Sequence, residues 1–67
     1  MLKTRAEAAD RLVSWLRDRK VQNPSLGMVH PVQGGWDITT YGPARIRMAN
    51  FFVGRNGNVV DKERRLG

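Results

Sequence analysis

The sequence has no cysteine and a single histidine, His30. Disulfides are excluded, and a structural zinc site lacks the thiolate and imidazole ligands it would need, so neither metal nor cofactor is expected. No apolar stretch approaches the roughly 18 residues of a membrane span, and Lys3, Arg5 and Glu7 stand where a leader would carry its apolar segment. The expectation is a cytoplasmic protein with no membrane partner. Acidic residues are scarce, six against twelve Lys and Arg. Glu7, Asp10 and Asp18 lie early, Asp61 and Glu63 late, and Asp37 stands alone in the middle. No carboxylate pair, nucleophile elbow, phosphate loop or dinucleotide fingerprint appears, so the chain is not read as an enzyme.

What is present fits one domain spanning residues 1–67, with room for a single core. A hydrophobic fraction of 40% is too high for a disordered chain. At this size net stability is marginal without a staple, which leaves strong local signals or self-association to hold the fold. The formal charge of +6 favours nucleic acid or an acidic protein surface as partner. Nine of the twelve cations are Arg. Arg suits planar, bidentate contact with phosphate or carboxylate. The same bias follows from GC-rich coding, in the style of a bacterium or its phage.

Thr4 followed by Glu7 is a capping-box spacing, and behind it Ala9, Leu12, Val13 and Leu16, widened by Ala8 and Trp15, form an apolar stripe. A helix over about 4–21 is predicted, ended by Asn23-Pro24 because the residue before proline is pushed out of the α region. Glu7 and Arg11 are spaced for an ion pair on its solvent side, so replacing Arg11 should do little to nucleic-acid binding. From Gly27 onward the texture becomes β-favouring, punctuated by Gln33-Gly34-Gly35, Gly42-Pro43 and Arg55-Asn56-Gly57. Strands are predicted at about 28–32, 36–41, 45–53 and 58–62, followed by a basic tail over 62–67. The fold class is α+β: an N-terminal helix packed on one face of a three- to four-stranded antiparallel meander. Pro43 opening a short helix through Asn50 is the competing reading of that segment.

A three-residue turn at Gly42, Pro43 and Ala44 would set Tyr41 opposite Arg45 and Ile38 opposite Met48. That register places Trp36, Ile38, Ile46 and Met48 on the core face, and Asp37, Thr39, Tyr41, Arg45 and Arg47 on the far face. A three-residue loop at Arg55-Asn56-Gly57 pairs Phe52 with Val60 on the core face and Val53 with Val59 on the far face. Phe51, Val53 and Val59 then form an outward apolar cluster that one helix cannot cover, so a homodimer through them is expected. Pro31 marks the first strand as an edge. One register of that strand sets His30 opposite Asp37. Trp15 and Trp36 are read as packing residues.

Two partner classes survive. In the first, nucleic acid is bound through its phosphates by Arg45, Arg47 and Arg55, with Arg17, Arg19, Lys20, Arg64 and Arg65 on the helix end and tail, and Tyr41 available to stack on a base. In the second, a protein-binding module or inhibitor, Tyr41, Arg45, Phe51 and Val53 anchor a partner protein. A small ribonuclease toxin built on His30 and the arginines is a third reading, and the one least supplied with catalytic groups.

Overall fold

The computed structural model describes residues 1–21, 23–42 and 47–63. One helix, α1 (Arg5–Asp18), packs on a four-stranded antiparallel sheet of β1 (Ser25–Val32), β2 (Gly35–Tyr41), β3 (Arg47–Gly54) and β4 (Val59–Asp61). The strands run in the order β1-β2-β3-β4, so the sheet is the meander that the sequence predicts.

The start of α1 follows the capping box. The Glu7 N–H donates to Thr4 Oγ1 at 3.2 Å, while Glu7 Oε1 accepts the backbone N–H groups of Lys3 at 2.6 Å and Thr4 at 3.0 Å. Three N–H groups that the helix cannot satisfy internally are thus satisfied. These two backbone donors, Lys3 first, hold the Glu7 carboxyl below its ordinary range. The helix stops at Asp18, short of the expected end. Lys20 takes the left-handed conformation at φ 66°, letting its N–H reach the Arg17 carbonyl and the Val21 N–H reach Leu16. This is a Schellman closure, two bonds that satisfy the last carbonyls before Asn23-Pro24 is reached.

The outer two hairpins turn where expected, and the β3–β4 register is the predicted one, while that of β1 was left open by the sequence. Gln33 and Gly34 make a tight turn, Gly34 at φ 85°, and the register sets His30 opposite Asp37 and Pro31 opposite Trp36 on an edge strand. β1 starts at Ser25, earlier than predicted, and carries a bulge between Leu26 and Val29. At the other end Gly57 sits at φ 87°, and Phe52 pairs with Val60 and Val53 with Val59 as predicted.

The middle hairpin differs, and the difference reverses the faces of β3. Ile38 pairs with Phe51 and Trp36 with Val53, while Tyr41 pairs with Arg47 across an irregularity at Thr40/Tyr41. The expected pairing of Ile38 with Met48 is therefore displaced by three residues, an odd number. With a side-chain period of two, an odd displacement exchanges inside for outside. Residues 47–50 are strand, which removes the short-helix alternative there. Pro43, Arg45 and Ile46, with the turn and pairing expected of them, lie outside the described residues, as do Arg64 and Arg65 of the expected tail.

The core follows from this register. Ala8, Leu12 and Leu16 of α1 meet Trp36, Ile38, Phe51 and Val53 of the sheet, with Trp15, Val21, Leu26, Val29, Ala49 and Val59 packed around them. Ala9 and Val13 are only half-buried, so the stripe is centred one residue earlier than the periodicity suggests. Trp15 meets Phe51 edge-on, ring centroids 5.4 Å apart and planes at 65°, a geometry that contributes about 1 kcal/mol beyond area burial. Phe51 and Val53, expected to point outward, are 5% and 0% exposed beneath the helix, and Val59 packs against the same core. They form no outward patch.

Candidate nucleic-acid interface

With α1 on one side, the opposite face of the sheet has no second layer among the described residues. Its composition follows from strand pairing. His30, Asp37, Phe52 and Val60 stand in one row across the four strands, and Thr39 and Asn50 in the next. Ser25 and Tyr41 share a third row at the end of the sheet, where Arg47 is the β3 backbone partner of Tyr41. Phe52 is half-buried and Val60 is 43% exposed, so an aromatic ring and an aliphatic side chain lie side by side on this open face. Sequence reasoning placed both inside. The signal that misses them is the run Phe51-Phe52-Val53, apolar at three successive positions and therefore silent about which parity faces the helix.

Tyr41 packs on the backbone of β1. Its ring lies against Gly27 in the β1 bulge, and a methyl group on Gly27 would collide with its Cε2. Next to it, Thr39 Oγ1 donates to Asn50 Oδ1 at 2.9 Å, tying β2 to β3 on the open face.

The charges on this face are arranged asymmetrically. Among the described strand residues Asp37 is its one carboxylate, and Lys62 Nζ meets Asp37 Oδ2 at 3.0 Å. The Lys62 N–H also donates to the Asn50 carbonyl at 3.0 Å, so this residue extends the β3–β4 pairing instead of belonging to a loose tail. Both side chains are partly exposed, which makes the pair worth at most about 1 kcal/mol. Its larger effect is on the potential: the negative charge is balanced locally, leaving His30 on a face without net negative charge. The same pairing bears on acid–base chemistry. His30 does stand opposite Asp37, but that carboxylate hydrogen-bonds to Lys62.

The expected grouping of Tyr41 with Arg45, Arg47 and Arg55 is only partly assembled. Tyr41 and Arg47 are direct partners. Arg55 is at the opposite end of the sheet, where its N–H donates to the Gly34 carbonyl at 3.1 Å and its guanidinium carbon lies 5.6 Å from the centre of the Trp36 ring. The length of β2 separates it from Tyr41, about 20 Å at about 3.4 Å per residue. Conversely, the C-terminal end of α1 comes to the Tyr41 end. Arg19, Ser25 and Tyr41 border one cavity, and Arg19 is stacked over Trp15 with its guanidinium carbon 3.5 Å from the ring centre.

No protein-family model, curated protein or solved structure matches this chain. No helix among the described residues is long and apolar enough to cross a membrane. Nor do they include a cluster of three or more His, Asp or Glu side chains that could hold a metal ion.

Proposed function

We propose that this domain binds single-stranded nucleic acid along the open face of its sheet, as an accessory protein without catalytic chemistry. The observation that carries the reading is the placement of Phe52 and Tyr41 on the helix-free face, with Arg47 opposite Tyr41 and Asp37 balanced by Lys62. Aromatic rings on an open sheet offer stacking surfaces to unpaired bases, which a duplex keeps inside its own stack. A net charge of +6 supplies phosphate attraction that needs no base readout. Arg19 and Lys20 extend the cationic surface at the Tyr41 end.

A protein partner on the same face is the second reading, favoured by the exposed Val60 and by Met28 at 74% exposure in the β1 bulge. A homodimer belongs to this reading, through Phe52 and Val60 in place of Phe51, Val53 and Val59.

Fluorescence anisotropy with a labelled single strand and a labelled duplex, across a salt series, tests the proposal. The single strand should bind more tightly, and Phe52→Ala or Tyr41→Ala should each weaken it roughly tenfold while affecting the duplex less. Arg47→Ala should flatten the slope of log affinity against log salt by about one. Absence of affinity at about 50 mM salt would reject nucleic acid and promote the protein partner.

A further inference from the structure

On the helix side of the sheet, at the C-terminal end of α1, Trp15, Leu16, Val21, Pro24, Ala49 and Phe51 line a cavity of about 330 Å³. Its walls are almost wholly apolar. Thr40 Oγ1, a polar atom at this site, is already committed to the Ala49 carbonyl at 3.1 Å. At about 30 Å³ per atom, the share of a water in the liquid, the volume holds roughly ten non-hydrogen atoms. This is the lower end of the range for small-molecule sites, and a nucleobase, whose edges need hydrogen-bond partners, is poorly served by such walls.

The surroundings of the cavity are electrically lopsided. Val21 also lines a neighbouring recess formed with Arg17, Lys20 and Asn23. Among the described residues neither Arg17 nor Lys20 is ion-paired. Arg19 lies over Trp15 on the same rim. On the β4 side stand Asp61 and Glu63; Asp61 accepts the Glu63 N–H at 3.0 Å, and both have further partners. An occupant with an apolar body and an anionic head therefore has one favourable orientation, its body against Trp15 and Phe51 and its head beside Arg17 and Lys20.

We infer that this cavity is a binding site for a small amphiphilic anion, a medium-length alkyl or aryl carboxylate. The site lies on the helix side of the sheet and shares Tyr41 and Arg19 at its border with the proposed nucleic-acid surface, but its ligand class does not follow from nucleic-acid binding. Octanoate, octanol and octylammonium are matched probes of the class, differing in head charge.

Titrating each into isotopically labelled protein, read by NMR, tests the inference. Octanoate should give saturable shifts at the Trp15 indole N–H and at the Val21 and Ala49 methyl groups, with octanol weaker and octylammonium weakest. In an Arg17→Ala/Lys20→Ala double variant, which changes only exposed side chains, octanoate affinity should fall about fivefold, to the level of octanol. Ala49→Phe should fill the cavity and abolish binding of all three; a melting curve establishes whether that variant folds, and the charge variant decides the matter if it does not. Shifts that fail to saturate, that map to Phe52 and Val60 instead, or that are equal for octanoate and octylammonium would overturn the inference.

Discussion

Arg11, in the middle of α1, donates from Nε to the carbonyl oxygen of Gly57 at 2.8 Å, joining the helix to the β3–β4 turn. Sequence spacing offers Arg11 to Glu7, but Glu7 is occupied by the N–H groups of Lys3 and Thr4. A half-buried, charge-assisted bond between elements 46 positions apart contributes more than an exposed pair within one helix. Arg11→Ala is therefore expected to lower stability by about 1.5 kcal/mol. Urea denaturation measures it, and a loss below about 0.5 kcal/mol, the range of an ordinary surface change, would show the contact to be idle.

Lys20 occupies the left-handed position of the Schellman closure, where glycine is usual. A side chain there costs about 1 kcal/mol, and glycine removes that cost at the expense of a looser unfolded chain. Lys20→Gly should stabilise the domain by roughly 0.5 kcal/mol, a rise of a few degrees in Tm. Thermal melting checks the sign, and a lower Tm would mean that the Lys20 stem packs on the helix end.

At Gly35 the backbone of β2 lies close against that of β3. A methyl group at this residue would meet the Val53 carbonyl oxygen and come within 2.9 Å of Gly54 Cα, both backbone atoms that cannot rotate away. Gly35→Ala should cost about 2 kcal/mol, as overpacking in a closed core does. At Gly54 the nearest obstacle is instead the Asn56 side chain at 2.9 Å, which can move. Comparison of the two alanine variants by chemical denaturation should find Gly54→Ala the milder; the reverse order would contradict the strand spacing.

Glu7 makes the helix start sensitive to acid. Its carboxyl is held below its ordinary value, near 4.5, by the N–H groups of Lys3 and Thr4. Because the folded-state pKa is depressed, the stabilisation is present above that ordinary value and is lost as the pH falls through the folded-state pKa. Glu7→Gln keeps an acceptor oxygen but loses the charge, so wild type should exceed the variant in Tm at pH 7, and the gap should close on acidification towards pH 3. A gap independent of pH would assign the effect to packing.

Much of the fold was legible from short-range chemistry. The Thr4–Glu7 cap, the Asn56-Gly57 turn with its Phe52–Val60 register, the edge position of Pro31 and the packing roles of Trp15 and Trp36 each depend on a few neighbouring residues. The candidate site was legible only in part: Tyr41 and Arg47 were placed together, whereas Phe52 was assigned to the core and Arg55, at its own hairpin tip, was grouped with residues at the other end of the sheet.

By itself, then, the sequence determined the elements, their order, the meander and the excess of positive charge, because capping, turn geometry and composition are local properties. Only the tertiary structure decided which face of β3 meets the helix. Three apolar residues in succession, Phe51-Phe52-Val53, satisfy either parity, and the choice rests on the β2–β3 register, which an odd displacement reverses. Burying Phe51 and Val53 under Leu12 and Trp15 leaves Phe52 outside. The cavity beside Trp15 was equally beyond reach, since its walls come from α1, the α1–β1 connection and all four strands, and no local pattern records how far apart packed elements stand.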